Sequence, residues 1–541
     1  MKQASGLRRP LVIVAFAITG TILLATGQGQ GDPPQTPPGQ PKMTVKNPRG
    51  HAKSAPLKSY VRPDRPGPDI EAPDVGQTSK APGGGGGGGT GGGGNTDPVK
   101  QTVYPPATPP LTLASFTGIT YTGSVPPDTN IAVGPTQVVE VVNSQYAVFD
   151  KSGSLLLGPA NMFQMFVSMT GDDCSWRTGG DPVVLYDRLA GRWLVARYLF
   201  TPNILCVAVS QTTDATGAFN LYSYAFGPNT ADYPKFGVWP DGYYFTANTF
   251  AANDGPFIGA QACAFDRYAM LQGLANAPVI CYQGTTAWRS LLPSDLDSDL
   301  PPPAGAPNYF LQLESGALSL FKFRPDFSAP VNSSFTGPTT IPVAKFATSG
   351  SVPQPNVTTR LESLSGRLMY RLSYRNFGAY ESLLATHTVQ VQLNGSGSQS
   401  GIRWYEIRTP GGTPTVHQQS TYSPDSTTWR WMPSMAQDKF GNVLLGYSAS
   451  SSTVYPSVRI AVRQMGDAPG RLQPELLVKA GLGSQTISPT STSGRNRWGD
   501  YASVAVDPDG CTLWFSTEYL SATGPDVWAT HLYSAKFSGC N

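Results

Sequence analysis

Residues 181–198 read DPVVLYDRLAGRWLVARY. Asp181 and Pro182 open the stretch, Val183–Tyr186 form an apolar run, and Asp187 to Gly191 hold turn residues. Arg192–Tyr198 then supply a second apolar run. This is a strand, a turn and a strand, with Asp and Gly serving the turn by side-chain capping and positive φ. The frame returns as PDTNIAVGPTQVVEVVNS from Pro127, YPKFGVWPDGYYFTANTF from Tyr233 and RLESLSGRLMYRLSY from Arg360. It returns again as WMPSMAQDKFGNVLLGYS from Trp431 and WGDYASVAVDPDGCTLWFSTEY from Trp498. NYFLQLESGALSLFKF from Asn308 fits more loosely. The starts fall about 50 to 70 residues apart, room for one four-stranded sheet each. Repeated sheets set radially protect their edges, whereas a two-sheet sandwich does not demand so regular a return of one hairpin. The expectation is an all-β chain with a single β-propeller over 111–541, counted as seven blades, with six or eight as the alternatives.

Composition agrees with many short strands joined by turns. Of 541 residues, 59 are Gly and 50 are Pro, only 13% are charged and 11% are aromatic. A helical bundle needs far more Ala, Glu, Lys and Leu. The chain carries 38 basic and 35 acidic residues, and three of the basic ones (Lys2, Arg8 and Arg9) stand in the first ten. Beyond those ten the charges balance, so nothing supports nucleic-acid binding.

The basic start is followed by the apolar run LVIVAFAITGTILLATG from Leu11 to Gly27. Residues 1–27 read as a secretory signal peptide, or as an N-terminal anchor if uncut. The absence of Cys at the end of the run argues against lipid attachment through a cysteine. From 28 to 110 the chain is rich in Pro and Gly, with a Gly run from Gly83 to Gly94 broken by Thr90. That segment is expected to be a disordered linker. No Lys-Ser/Thr follows the Gly run, so it is not a phosphate loop.

Cys174, Cys206, Cys263, Cys281, Cys511 and Cys540 are an even set in an exported chain, which suggests disulfides. Sequence proximity favours 174–206, 263–281 and 511–540 among the fifteen pairings. No C-x-x-C occurs, and His51, His387, His417 and His531 are never three or four residues apart, which excludes a structural zinc site.

Pro126-Pro-Asp-Thr-Asn130, Gly180-Asp-Pro-Val-Val-Leu-Tyr-Asp187, Tyr233-Pro-Lys-Phe-Gly-Val-Trp-Pro-Asp-Gly-Tyr243 and Arg497-Trp-Gly-Asp-Tyr501 resemble the phrases of a family of exported bacterial β-propeller proteins, often joined to adhesion-type modules. Ile131 stands where the family usually has Gly. The resemblance covers about 115–541 and implies a propeller with an extracellular life, not a reaction. More distantly the architecture is similar to sialidases and other propeller glycosidases. Their Asp-box has only a degenerate echo in Ser423-Pro-Asp-Ser-Thr-Thr-Trp429, which lacks the Gly.

In a propeller the first strand of every blade lines the hub, so residues at the repeat openings converge there. Asp128, Lys235, Arg360, Arg430, Trp431, Arg497 and Trp498 are the candidate ligand-binding residues. The arginines and Lys235 suit a carboxylate, sulfate or phosphate. Asp181, Glu362 and Asp500 are candidate catalytic carboxylates for a glycosidic bond. Tyr501 beside Arg497 has the place of a nucleophile that the sialidase resemblance implies. Polar residues at blade openings also serve structure alone, by capping turns and joining blades. Of the aromatic residues, Trp176, Trp239, Tyr243, Tyr244, Trp288 and Trp429 stand with Trp431 and Trp498 near turns or polar openings. There they serve either as sugar-stacking rings or as inter-blade core.

Asp295-Leu-Asp-Ser-Asp299 sets three carboxylates at alternate positions, as the first half of an EF-hand loop does. Leu300 and Ala306 replace the required Gly and Glu. Asp295, Asp297 and Asp299 are therefore either a Ca²⁺-binding surface loop or a solvated acidic one, and no other metal or cofactor is expected. There is no G-x-S-x-G elbow, haem motif or Rossmann signature.

The functional expectation is a secreted or envelope-surface monomer that binds an extracellular carbohydrate, an acidic polysaccharide foremost, at the channel mouth. The alternatives are a glycan-active enzyme, a glycoside hydrolase or polysaccharide lyase, and a non-catalytic adhesion or protein-interaction propeller.

Overall fold

The computed structural model describes residues 41–63, 97–200, 202–252, 255–393, 397–487 and 496–541. The apolar run at 11–27 and the Gly run at 83–94 lie outside them. Among the described residues no helix is long and apolar enough to cross a membrane. The chain is all-β, and nearly every strand belongs to a four-stranded antiparallel set.

The sets begin with the strands Asn130–Val133, Gly180–Asp187, Thr230–Val238, Leu292–Leu296, Leu372–Asn376, Trp429–Gln437 and Ser503–Val506. The fourth and fifth sets share one eight-stranded sheet, because Leu292–Leu296 and Leu372–Asn376 pair in parallel. The last set takes its outer strand, Leu111–Thr120, from before the first. Each first strand packs against the next, and Ser503–Val506 packs against Asn130–Val133, so the seven strands close a ring. Side chains satisfy backbone groups across that ring. Asn130 accepts from the Val184 N–H, Asp295 from Val238 and Ser434 from Val504, and the Ser503 hydroxyl donates to the Ile131 carbonyl. Unpaired amides on the hub edge would each cost about 1–3 kcal/mol, so these bonds fix the order of the sets.

The turns form as the repeat predicts except in the stretch from Arg360, where no strand precedes Leu372–Asn376 and the expected hairpin is absent. Asp187, Asp438 and Asp507 each accept a backbone N–H from their own turn: Ala190, Phe440 and Asn442, and Asp509 respectively. Gly441 and Gly510 complete two of these turns with φ of 85° and 73°, where a Cβ would be strained. Apolar cores fill the spaces between neighbouring sheets, with Trp193, Trp404, Trp431, Trp498 and Trp514 among the buried rings. The disulfides are Cys174–Cys206, Cys263–Cys281 and Cys511–Cys540, as proximity suggested.

The linker expectation is corrected at two strands inside 28–110. Lys42–Lys46 pairs with Val279–Gln283, and Gly50–Lys53 pairs with Phe219–Ala225, each adding a fifth strand to a sheet. The outer edge of a blade offers a row of unpaired backbone groups that any extended segment can satisfy. Such pairing needs little apolar content, so composition did not reveal it. Leu57 and Val61 then bury in the core beside Trp193.

One connection departs from the repeat. Residues 343–371, between the fourth and fifth sets, cross the hub at the end where the first strands begin. Val352 and Leu361 pair with each other, and Leu361 also bridges to Asn496. Val352, Leu361, Leu364 and Met369 share a core with Tyr233, Trp431, Trp498 and Tyr501.

Candidate functional site

Four of the first strands are entered through a left-handed residue that is not glycine. Asp128, Asp181, Tyr233 and Met432 have φ of 50°, 49°, 59° and 49°. Three of them precede Pro182, Pro234 and Pro433, and the pairing register slips there, between Gly180 and Val183, Asp232 and Lys235, and Trp431 and Ser434. Each is a bulge that re-aims side chains at the start of a first strand. A non-glycine residue in this region carries roughly 1–3 kcal/mol of strain, which the surrounding structure must over-determine.

The side chains gathered there form one bonded cluster. Asp128 accepts the Asp500 amide at 2.6 Å and the Asn143 carboxamide at 2.8 Å. Asn143 in turn accepts the Asp181 amide at 2.9 Å. The Tyr501 hydroxyl donates to Asp181 at 2.7 Å. Lys235 donates to the Pro234 carbonyl, and its Nζ lies 3.3 Å from the Tyr233 ring centre and 3.7 Å from that of Tyr501. Arg497 pairs with Asp500 at 2.8 Å and with Glu362 of the crossing segment at 3.2 Å. The Arg367 guanidinium, also from that segment, lies 4.7 Å over Tyr233. Glu518 accepts the Gly499 amide.

Burial dominates the electrostatics. It pushes the Asp128 carboxyl well above the usual range, with Asp500 and Asp181 adding to the rise. Asp181 is raised by burial too, against the Tyr501 hydrogen bond. Asp232 is pushed up to about 7 by burial and then by Asp181 and Asp500. Burial, ahead of the nearby Asp500, raises Glu518 to about 8, and burial lowers Lys235 to about 7. Tyr501 is raised by burial and the surrounding acids, which keeps its phenol protonated and opposes a tyrosinate nucleophile.

Of the residues singled out from sequence, Asp128, Asp181, Lys235, Glu362, Arg497, Asp500 and Tyr501 come together. All but Glu362 and Arg497 are buried. Arg360 is exposed and donates to Ser351. Arg430 sits in a separate buried cluster with Asp425 and Glu475. Trp431 and Trp498 pack ring to ring, 5.4 Å apart and fully buried, so they are core and present no face to a ligand. Asp232, Asn143, Arg367 and Glu518 were missed. Asp232 was discoverable, since it directly precedes the bulge residue Tyr233, as Gly180 precedes Asp181. The half-buried members, Asp232, Glu362, Arg367 and Arg497, form a mixed-charge rim over the buried cluster.

Trp176, on the loop leading into Asp181, is 58% exposed, with the Arg177 guanidinium 4.4 Å from its ring centre. Trp239, Tyr243 and Tyr244 are buried and Trp288 and Trp429 half-buried.

Elsewhere on the hub, a small cavity of about 30 Å³ is lined in part by Val133, Tyr186, Arg188, Asp297 and Arg371. Here Arg371 pairs with both Asp295 and Asp297, and Arg188 pairs with Asp299. The alternate acids thus meet guanidinium groups, and Asp295 and Asp297 are buried rather than on a surface loop. No group of three or more acids, His or Cys suited to a metal occurs among the described residues.

No family model matches this chain. No curated protein matches it either. Among solved structures, a protein of unknown function from Dyadobacter fermentans aligns over 66% of this chain and 94% of its own, at 12% identity and a TM-score of 0.35. The endosialidase of phage phi92 aligns over 66% and 72%, at 9% identity and 0.34. An exo-β-1,3-galactanase from Clostridium thermocellum aligns over 64% and 83%, at 10% identity and 0.28. Likenesses of this size carry no argument about activity.

Proposed function

We propose that this chain is a seven-bladed propeller of an extracellular compartment that binds a carbohydrate at the hub end where its first strands begin. The observation that carries the reading is the rim of Asp232, Glu362, Arg367 and Arg497, contributed by two first-strand openings and the crossing segment, above a cluster locked by internal bonds. Carboxylates accept sugar hydroxyls, and guanidinium groups take the carboxylate or sulfate of an acidic glycan. Three disulfides support an oxidising compartment.

Glycoside hydrolysis or lyase chemistry is the second reading. It is favoured by Asp232, half-buried and raised to about 7, which is suited to general acid work. Against it stands the burial of Asp181, Asp500 and Tyr501, which removes three of the four expected catalytic groups from substrate.

Purified protein assayed against acidic and neutral polysaccharides, for retention and for new reducing or unsaturated ends, tests both. Retention without bond cleavage supports the binding reading, and cleavage supports the enzyme. Neither result across the panel overturns both.

A further inference from the structure

A second concavity lies away from the hub, on the outer part of the fifth four-stranded set. It is a partly open hollow of about 100 Å³ walled by Asp97, Pro98, Lys345, Phe346, Ala347, Gln390 and Gln392. Three separate chain segments supply the walls, and one buried residue positions two of them. Arg403, with no exposed side-chain surface, pairs with Asp97 at 2.8 Å and donates to the Ala344 carbonyl at 3.0 Å. The third wall is tied to the second by pairing of Ala347 with Gln390.

The Asp97 carboxylate is only 7% exposed. Its Oδ1 accepts from both Arg403 and the Val99 amide, whereas Oδ2 is buried with no partner. A buried carboxylate oxygen left unbonded is costly, so it calls for a donor from outside the protein. Phe346 is half-buried and packs edgewise on the His387 ring, 4.7 Å away, which leaves the phenyl group as an apolar wall held in place. Lys345 is exposed at the rim, where its charge disfavours a cationic guest.

We propose that this pocket binds a single pyranose unit of a neutral or acidic glycan. A sugar hydroxyl donates to Asp97 Oδ2, the C–H face of the ring lies on Phe346, and the Gln390 and Gln392 amides serve the remaining hydroxyls. The site is independent of the hub reading, since none of its residues belongs to the rim.

The test is ligand-observed NMR titration of the full chain with methyl glycosides of glucose, galactose, mannose and glucuronic acid. At least one should bind saturably. Phe346→Ala should weaken that binding about tenfold or more by removing the apolar wall. Asp97→Asn, which keeps the Arg403 contact at Oδ1 and turns the other position into a donor, should do the same. The same titrations in an Arg497→Ala background, which disables the hub rim, assign the binding to this pocket. Absence of saturable binding by all four glycosides overturns the proposal. So does binding that both pocket variants retain, and so does preferential capture of tetramethylammonium over the sugars.

Discussion

The hydroxyl of Tyr501 donates to a carboxylate oxygen of Asp181 across 2.7 Å, joining two first-strand openings 320 positions apart in the chain. Together with the bond from the Asp500 amide to Asp128, it welds the last set to the first two at the hub. Ring closure therefore rests on buried polar bonds as well as on the outer strand Leu111–Thr120.

Tyr501→Phe removes this donor and leaves Asp181 buried without it. The expected loss is about 1–3 kcal/mol of stability, read from urea unfolding, with the fold retained. An unchanged midpoint would show that the bond contributes nothing to closing the ring.

Glu518 supplies a pH signature. Its folded value, about 8, lies above the ordinary 4.5, so between these values the folded state holds a proton that the unfolded state has released. That contribution is fully present below about pH 4.5 and is lost as pH rises towards 8. Glu518→Gln is neutral throughout and keeps an acceptor for the Gly499 amide. The melting temperature of the variant minus that of the wild type should therefore increase steadily from pH 5 to pH 8. Comparing the two proteins removes the opposing trends of His387 and His531, which burial lowers to about 3 and about 4. A difference independent of pH would contradict the assignment.

The bridge from Cys511 to Cys540 closes a 29-residue separation and ties the chain end to the strand Thr512–Leu520 of the last set. Cys511→Ser with Cys540→Ser should cost about 3 kcal/mol while leaving the fold assembled, because the ring is also closed by the contacts above. Unfolding at room temperature would show that the bridge, not the strand pairing, closes the ring.

The repeat was legible because one physical device recurs: an apolar strand, an Asp-capped turn and a second apolar strand, as at Val183–Tyr198. The disulfides were legible because each joins cysteines close in sequence. The convergence of Asp128, Asp181, Lys235, Asp500 and Tyr501 followed from their shared place at strand openings. Their burial did not, in part because the stretch from Arg360, which reads as another return of the repeat, instead runs over the hub and packs on Tyr233 and Tyr501. Trp431 and Trp498 show the same limit: a ring beside a polar opening reads alike from sequence whether it faces solvent or a neighbouring sheet. The outer strands Lys42–Lys46 and Gly50–Lys53 escaped because backbone pairing to a free edge asks almost nothing of side-chain type.

The hub reading is tested most directly by affinity electrophoresis in gels containing an acidic polysaccharide, comparing wild type with Arg367→Ala and Arg497→Ala. The Arg367 guanidinium is half-buried over the Tyr233 ring, so its variant should stay folded yet lose most of the retardation. Arg497→Ala should lower stability by about 1–3 kcal/mol, through loss of the Glu362 and Asp500 pairs, and abolish retardation while remaining folded. Retardation of both folded variants equal to that of the wild type would contradict a glycan site at the hub.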